Sequence, residues 1–438
     1  MKIKTITIGG FKNLKKTKIE VKGIIALVSP NNFGKSNFLQ GIDFALAFLN
    51  AGEKGRKKMM AWTKGIPMNP ASENDPFSFE IEFYDSSLGN EYQYVRYGFS
   101  FAWLNDDAQG QRIIDEWLEM RESPQVKYTR YLKRDEGRYR KSKSTNAYRN
   151  ILLGDFQLAI DMLPSIEDIE YSPVLQQIKH ISFKTCSSLD ADMPYEEFPF
   201  EAEGSNLPLS HDMPKLLNHL KETTPDKFLL FKEAVTSLFP EISDVEVVKA
   251  TFTPPPKTFA IFSSAHEEKS IVPPDTVAEP PFKWKNEIYR IFVKTTYMNQ
   301  PIDITSLSAG TKRLLWIIAI LFSSNRNTQL LGIEELETSI HPRLLKQTLE
   351  LLNDNLGDTT LIITSHSPYL VQYIKLDKIY IGIPDTTGLA SFKRIANSKI
   401  KTVISIAQSI GLSVGEYLFD LMAGDAKSVG ILERIVKG

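Results

Sequence analysis

The sequence predicts an α/β fold, and two stretches of the chain support this prediction. Residues Ile24–Val28 form a short apolar run typical of a buried strand, and residues 29–34 are rich in turn formers. Residues 35–49 then carry apolar side chains at helical spacing. A second α/β unit runs from 307 to 384. Strand, loop and helix in this order form the context that a phosphate-binding loop requires.

The length and the net charge of the chain limit the classes of protein to which it can belong. The chain has 438 residues and a hydrophobic content of 42%, which is enough for a sizeable core. This length predicts two or more domains, or one large fold with an insertion. The formal net charge of -1 disfavours a strongly basic protein that binds nucleic acid by charge alone, but it leaves room for a local basic patch.

Three features predict a cytoplasmic protein that does not enter a membrane. Cys186 is the one cysteine, so no internal disulfide can form, and we interpret it as a small buried residue rather than a reactive thiol. Residues 1–8 predict a strand rather than a signal peptide, because no long apolar region follows the charged start. The longest apolar stretch, 314–322, is far shorter than the roughly 20 residues of a membrane span.

The rest of the chain shows a β-rich part followed by a helical part. Alternating apolar residues predict β-structure over 77–100, and a second hairpin is expected over 126–143 with its turn at 135–137. The pattern over about 150–250 is helical, and an amphipathic helix ends before Pro240. Residues 254–281 contain seven prolines and predict a linker. Residues 398–438 predict C-terminal helices.

The first chemical motif is Ser29-Pro30-Asn31-Asn32-Phe33-Gly34-Lys35-Ser36, which matches the Walker A pattern except that Ser29 replaces the first glycine. Backbone N–H groups of such a loop cradle phosphates at a helix N-terminus. Lys35 would neutralise β/γ oxygens, and Ser36 would hold Mg²⁺. Asn32 tolerates a left-handed conformation, and Gly34 permits a close backbone approach. The alternative is a coincidental turn before a helix.

Three further motifs lie between residues 307 and 368. Leu307-Ser308-Ala309-Gly310-Thr311 precedes a helix and forms either an anion site or an ordinary helix cap.

An apolar strand ends at Glu334 and Glu335, as in a Walker B motif, with Glu334 in place of the usual Asp. Glu334 would bind Mg²⁺, and Glu335 would polarise the attacking water. The alternative is a solvated acidic loop, since Glu337 follows. A later strand delivers His366 to its C-terminal end, where ligands of α/β sheets bind.

The order of these four motifs resembles the ABC-type ATPases of the RecF, SMC and OLD branch, and in particular the stand-alone AAA-ATPase-like proteins of bacterial defence modules. The resemblance covers roughly the first 100 residues and residues 300–385. The segments that carry it are Gly10-Phe11-Lys12-Asn13, Gly34-Lys35-Ser36-Asn37, Leu307-Ser308-Ala309-Gly310-Thr311, Glu334-Glu335-Leu336-Glu337-Thr338-Ser339-Ile340-His341-Pro342 and Thr364-Ser365-His366-Ser367-Pro368.

The resemblance implies an ABC-type ATPase head of two lobes, with a mixed sheet and flanking helices. It also implies a large, mainly helical middle insertion and a short helical C-terminus. We therefore expect an N-terminal lobe at 1–100, an insertion with the hairpin and linker at 101–281, a C-terminal lobe at 282–390 and terminal helices at 391–438.

The resemblance also assigns roles to residues, with ATP and Mg²⁺ as cofactors. Glu335 is the implied general base and His366 the γ-phosphate sensor. Ser36, Glu334 and Gln157 are the implied metal ligands, although Gln157 also fits an ordinary helix surface. Phe11 and Lys12 are candidates for adenine contacts. The implied ATP-binding residues are Asn31, Asn32, Phe33, Gly34, Lys35, Ser36, Asn37, Ser308 and Gly310.

The same family pairs two heads head to tail, so that Ser308 and Gly310 of one subunit close over the phosphate held by Lys35 of the other. A homodimer or higher homo-oligomer is therefore expected. Two basic segments could add nucleic-acid contacts. One is the hairpin at 127–143, which contains eight basic residues and interleaved tyrosines, and the other is Lys54–Lys58 in an expected loop. A solvated surface is the alternative for both, and it is favoured for the hairpin.

Three hypotheses remain, and they differ in the process that ATP binding or hydrolysis would control. The sequence shows no acidic cluster after His366 typical of a Toprim nuclease and no His-Asn-His set, so we expect a separate effector. The first hypothesis is an ATPase that regulates such an effector, for example a nuclease, in anti-phage defence. The second is a RecF-like DNA-maintenance ATPase that binds DNA directly. The third is an ATP-bound scaffold that hydrolyses too slowly to cycle.

Overall fold

A computed structural model describes most of the chain. The described residues are 1–61, 69–72, 75–103, 112–145, 147–166, 168–186, 200–202, 212–251, 282–284, 287–323, 328–384, 387–424 and 426–436. The predicted proline-rich linker at 254–281 lies outside them. The chain divides into two compact units, one of Met1–Ser188 with Ser324–Gly438 and one of Leu189–Ser323. The expected boundaries at 100, 281 and 390 remain predictions.

The described residues form nineteen strands and twelve α-helices. The strands are β1 (Lys2–Gly9), β2 (Thr17–Glu20), β3 (Ile24–Val28), β4 (Phe77–Tyr84), β5 (Tyr94–Phe101), β6 (Ile113–Arg121), β7 (Thr129–Lys133), β8 (Arg138–Tyr139), β9 (Arg149–Asn150), β10 (Ser182–Cys186), β11 (Phe200–Ala202), β12 (Ile242–Thr251), β13 (Phe282–Trp284), β14 (Glu287–Thr295), β15 (Ile302–Asp303), β16 (Thr328–Glu334), β17 (Thr360–Ser365), β18 (Ile379–Pro384) and β19 (Ala390–Arg394). The helices are α1 (Lys35–Asn50), α2 (Glu53–Met60), α3 (Ala159–Met162), α4 (Ser172–Lys179), α5 (Met213–Thr223), α6 (Pro225–Leu238), α7 (Ala309–Ser323), α8 (Pro342–Asn355), α9 (Pro368–Val371), α10 (Ile400–Ser409), α11 (Val414–Ala423) and α12 (Ala426–Val436).

The first unit contains two large sheets. The six-stranded sheet has the order β10-β16-β17-β3-β18-β19, with all neighbours parallel except the antiparallel edge strand β19. Its central strand β17 is buried at every residue, as expected for a parallel strand covered on both faces. The eight-stranded sheet is antiparallel and has the order β2-β1-β4-β5-β6-β7-β8-β9. The α/β prediction is confirmed.

Helix α1 packs its apolar face against the antiparallel sheet. The ring of Phe48 stacks on Phe99 and Phe101 with centroid distances of 5.1 and 4.8 Å. The predicted alternation over 77–83 is confirmed, because burial alternates along β4. The predicted hairpin is also confirmed: β7 pairs with β8, and Gly137 in the turn has a φ of 60°.

The basic segment Lys54–Lys58 was expected in a loop, and that prediction is wrong. It lies in α2, and the Arg56 side chain is fully buried there. The guanidinium donates to the carbonyls of Phe48 and Leu49 at the end of α1 and forms an ion pair with Asp161. The last carbonyls of a helix lack partners within the helix, so Arg56 acts as a cap and not as a surface cation.

The second unit combines helices α5, α6 and α7 with the antiparallel strands β12, β14 and β15. The predicted helix before Pro240 is confirmed by α6. The helical pattern expected over about 150–250 holds for α3 to α6, but β10, β11 and β12 also lie within it.

The C-terminal helices are confirmed by α10, α11 and α12. Cys186 is buried, as interpreted from the sequence. Among the described residues, no single helix has the length and apolar character to cross a membrane. The segments Asn397–Ser409 and Val414–Ala423, bent by 91°, meet that criterion only as a pair and only by length and composition.

Candidate functional site

Three of the predicted motifs meet at one edge of the six-stranded sheet. Strands β16, β17 and β3 are adjacent and parallel, with Glu334 opposite Thr364 and Ser365 opposite Val28. The segments that follow them therefore emerge side by side at the carboxyl edge, where ligands of α/β sheets bind. These segments carry the Walker A loop, the pair Glu334 and Glu335, and His366.

The Walker A loop folds around the side chain of Lys35. The lysine is only 7% exposed, and its Nζ donates to the carbonyls of Ser29 and Pro30 at 2.8 and 3.0 Å. Asn32 and Gly34 have φ values of 63° and 84°, so the predicted left-handed conformation of Asn32 is confirmed. Gly34 precedes α1 and offers no side-chain cap, which leaves the first N–H groups of the helix able to bind an anion.

Two close approaches fix the shape of this loop. A Cβ atom on Gly34 would lie 2.9 Å from Cβ of Ala390 and 3.0 Å from Oδ1 of Asn13, so a larger residue would not fit there without movement. Ser29, which replaces the usual glycine, is fully buried. Its Cβ lies where a side chain on Gly382 would come within 2.7 Å. The missing side chain on β18 therefore makes room for the serine.

Glu335 adopts a strained backbone conformation, and hydrogen bonds to neighbouring residues stabilise it. Its φ is 48°, which is rare for a residue with a side chain. Its N–H donates to the carbonyl oxygen of Thr364 at 2.9 Å, and its Oε2 accepts from Oγ1 of Thr338 at 3.2 Å. Its Oε1 lies 3.6 Å from Nδ1 of His366. The predicted base and the predicted sensor are thus in direct proximity.

Glu337 belongs to the site, although the sequence indicated only an acidic loop. Its side chain is 10% exposed, and its Oε1 accepts from Oγ of Ser365 at 2.7 Å and from the N–H of His366 at 3.0 Å. The solvated-loop alternative is therefore wrong for Glu337. The one available signal was its position two residues after Glu335, which places both carboxylates in one turn.

The charges of these residues influence one another. Burial lowers the pKa of the Lys35 ammonium, and the carboxylates of Glu335 and Glu337 oppose that lowering. Burial likewise lowers the pKa of Lys12, and the Glu334 carboxylate opposes it. Lys35 of the phosphate-binding loop and Lys12 of the β1–β2 turn thus lie within electrostatic range of the carboxylates at the end of β16.

These residues fit Mg²⁺-ATP. A buried ammonium, a helix N-terminus and a left-handed loop suit the phosphates, while Ser36 and Glu334 are oxygen ligands suited to Mg²⁺. Within the described residues, no group of three or more His, Cys, Asp or Glu side chains could hold a metal by itself. Mg²⁺ commonly takes one or two protein oxygens and completes its shell with phosphates and water.

Two other predicted contributors lie elsewhere in the chain. Ser308 is exposed in the second unit, where its Oγ accepts from the N–H of Thr311 at 3.2 Å at the start of α7. The helix-cap alternative is confirmed, and the phosphate role of Ser308 and Gly310 stays a prediction. Oε1 of Gln157 accepts from the N–H of Gly154 at 3.2 Å. Its role as a metal ligand also stays a prediction.

The predicted adenine contact of Phe11 is wrong. Its ring is 3% exposed and packs against Phe44, Phe77 and Trp103, so neither face is open to a base. Lys12, whose Nζ donates to Oε1 of Gln40, remains a candidate.

The basic hairpin is largely neutralised within the protein. Tyr131 and Tyr139 are buried, and the guanidinium groups of Arg96 and Arg121 each lie 4.2 Å from the ring centroid of Tyr128. Such tyrosines cannot stack on bases, so the alternative to nucleic-acid binding is favoured here. The cations pair with carboxylates as follows: Arg130 with Asp115, Lys133 and Arg138 with Glu136, Lys141 with Asp168, and Lys143 with Glu122.

Comparison with known proteins supports a nucleotide-binding fold. Residues 270–372 match a family model described as "AAA domain, putative AbiEii toxin, Type IV TA system". A search of curated proteins found no match. The chain is similar to the structure of an SMC head bound to the C-terminal winged-helix domain of ScpA, with 14% identity and a TM-score of 0.50. That alignment covers 92% of this chain and 100% of the other.

Two further structures show weaker similarity. One is the SMC head domain from Thermotoga maritima, with 12% identity, a TM-score of 0.44 and coverage of 90% of this chain and 100% of that chain. The other is the SMC head domain with an extended coiled coil, bound to the C-terminal domain of ScpA, derived from Pyrococcus furiosus. It has 12% identity, a TM-score of 0.46 and coverage of 93% and 99%. The predicted fold class, an ABC-type ATPase head, is confirmed by the first similarity.

Proposed function

We propose that this ABC-type P-loop ATPase binds Mg²⁺-ATP at the carboxyl edge of β3, β16 and β17 and hydrolyses it to ADP and phosphate. The observation that supports this most strongly is the convergence of Lys35, Glu335 and His366 at the ends of three adjacent parallel strands. Each supplies a group that phosphoryl transfer to water needs: a cation for the phosphates, a base for the water and a donor to the γ-phosphate.

The proposed chemistry assigns one task to each side chain. Lys35 binds the β/γ oxygens from inside the loop, and the N–H groups at the start of α1 hold the remaining phosphate oxygens. Glu335 accepts the proton of the attacking water, with its carboxylate oriented by Thr338. His366 binds the γ-phosphate. Mg²⁺, held by Ser36 and Glu334, would offset the charge that builds up on the phosphates.

The proposed site is completed by a second copy of the chain. Ser308 and Gly310 lie at the start of α7, and the N-terminus of a helix is a place where an anion can bind. The resemblance to head-to-tail paired ATPases supports their placement on the γ-phosphate of the partner. We therefore propose an ATP-dependent homodimer or higher homo-oligomer.

The proposed biological role is regulation of a separate effector in the cytoplasm, for example a nuclease in anti-phage defence. The family matched over residues 270–372 is described as a putative toxin of a toxin–antitoxin system, which supports a role in such modules. The similar SMC head structure with a TM-score of 0.50 has the C-terminal winged-helix domain of ScpA bound, which supports a protein effector for this chain as well.

A complementation experiment tests the composite site. Lys35→Ala removes the phosphate cation of one subunit, and Ser308→Arg places bulk and charge in the joint, so neither variant alone should hydrolyse ATP. An equal mixture should regain about a quarter of the wild-type rate, because half the dimers are mixed and each has one intact site. Phosphate release is the measurement.

The matched control is Ser405→Arg, which places the same bulk and charge at an exposed position of α10. It should retain the wild-type rate. Normal hydrolysis by Ser308→Arg, or a mixture that stays inactive although both variants are folded and form mixed dimers, would contradict the composite site.

A second candidate function, direct binding of a nucleic-acid backbone, is favoured by one surface groove. The edge strands β2 and β19 line a cavity of about 460 Å³. Lys16, Lys18 and Lys393 are exposed in it, and none of the three forms an ion pair with another described residue. Arg394, in contrast, pairs with Glu20 at 2.8 Å. This groove therefore offers unneutralised positive charge that the hairpin does not.

The prediction for the groove is a change in DNA affinity. Replacing Lys16, Lys18 and Lys393 together by glutamate should weaken DNA binding at least tenfold. It should also reduce the salt dependence by about three released counterions, one for each lost phosphate contact. Fluorescence anisotropy over a range of salt concentrations measures both. The control is Lys133→Glu with Arg138→Glu in the hairpin, which should bind like wild type. Equal losses of DNA affinity in both variants would show that the groove is not the DNA-binding surface. No DNA binding by the wild type would reject this candidate function.

A further inference from the structure

The turn after β16 places two carboxylates around one histidine. Leu336 is fully buried and anchors the turn, while Glu335 and Glu337 lie on either side of it in sequence. Nδ1 of His366 lies 3.6 Å from Oε1 of Glu335 and 3.9 Å from Oε1 of Glu337. The imidazole is thus held close to both, although its side chain is 42% exposed.

The contacts of Glu337 are to the segment that carries the histidine. Its Oε1 accepts from the side chain of Ser365 and from the backbone N–H of His366. Oγ of Ser365 in turn accepts from the N–H of Ser367 at 2.9 Å. Ser365 at the end of β17 and the two residues after it are therefore held by one hydrogen-bond network, and this network ends on the carboxylate of Glu337.

Burial of the Glu337 carboxylate costs free energy, and a purely structural role would not offset that cost. Its Oε2 is buried and has no hydrogen-bond partner among the described residues. Desolvating a carboxylate oxygen without a partner is costly, and a buried polar atom left without a hydrogen bond in a folded protein needs a specific explanation. The network lies beside Glu335 and within electrostatic range of Lys35, where a fixed geometry would serve catalysis.

We propose that Glu337 is a positioning residue that sets the place of His366, so that hydrolysis depends on Glu337 only through His366. The inference rests on the proposed ATPase function and deepens it. Nucleotide binding, which depends on the Walker A loop, does not need this network. The carboxylate works here as a hydrogen-bond acceptor, which an amide oxygen can replace.

The expected results distinguish a loss of His366 positioning from a loss of Mg²⁺-ATP binding. Glu337→Ala should lower kcat by about 100-fold, a loss typical of a misplaced catalytic group, with the Kd for Mg²⁺-ATP unchanged. Glu337→Gln should retain most of the turnover, because its amide oxygen still accepts both hydrogen bonds. In a His366→Ala background, Glu337→Ala should cause no further loss. Glu350→Ala on the exposed face of α8 is the control and should match wild type.

A measurement independent of activity tests the geometry itself. Hydrogen exchange at the His366 amide should accelerate in Glu337→Ala and stay slow in Glu337→Gln, since only the alanine removes the acceptor. Equal kcat losses from Glu337→Ala in the wild-type and His366→Ala backgrounds, or unchanged exchange in Glu337→Ala, would overturn the inference. A wild-type protein that does not hydrolyse ATP would instead reject the proposed function, while the exchange experiment would still test the network.

Discussion

Lys35→Ala is expected to abolish binding of Mg²⁺-ATP. Lys35 is the buried cation of the phosphate-binding loop, and its ammonium already faces inward, bonded to the carbonyls of Ser29 and Pro30. Hydrogen bonds to charged groups contribute about 1.5–3 kcal/mol each, so losing bonds to two phosphates should raise the Kd by at least about 100-fold. Isothermal titration calorimetry measures the change.

Two further variants make this result interpretable. Lys35→Met keeps the buried aliphatic stem without the charge, so it should also lose affinity while preserving the packing of the loop. Lys22→Ala removes an exposed lysine at the other end of β3 and should bind like wild type. Equal affinity in wild type and both Lys35 variants would contradict the assignment of the phosphate site.

Glu335→Gln is expected to stop turnover and preserve ATP binding. Glutamine keeps the shape of the side chain and can still accept from Thr338, but it cannot take a proton from water. General-base catalysis typically contributes about 10²–10⁴-fold, and kcat should fall by that factor. Steady-state phosphate release together with calorimetry tests both halves of the prediction.

The control for this variant is Glu350→Gln, which alters a remote exposed carboxylate on α8 and should leave kcat unchanged. An unchanged rate in Glu335→Gln would show that another group activates the water.

Local sequence patterns predicted the parts of the site that local geometry determines. The Walker A loop was predictable because Asn32 and Gly34 occupy left-handed positions and the apolar spacing of α1 begins directly after them. The individual strands were predictable from apolar runs. Their order in the sheet was not, because the adjacency of β16, β17 and β3 depends on pairing between distant segments.

The wrong and the missed assignments share one physical origin, which is contact between residues that lie far apart in the sequence. Glu337 could not be assigned from the sequence because its partner Ser365 is 28 positions away. Arg56 appeared as one cation in a basic run, but its ion-pair partner Asp161 is 105 positions away and draws it into the core. The accommodation of Ser29 likewise depends on Gly382 in a different strand. Long-range packing decides which polar residues become buried.

The most direct test of the account is a single-turnover experiment with wild-type protein in excess over γ-labelled ATP and Mg²⁺. Samples quenched over time report how much of the label remains in ATP and how much has become free phosphate. If Lys35, Glu335 and His366 form one hydrolytic site, the bound ATP should convert completely to ADP with release of labelled phosphate. ATP that binds and then stays intact would contradict the account and identify the chain as a nucleotide-bound scaffold.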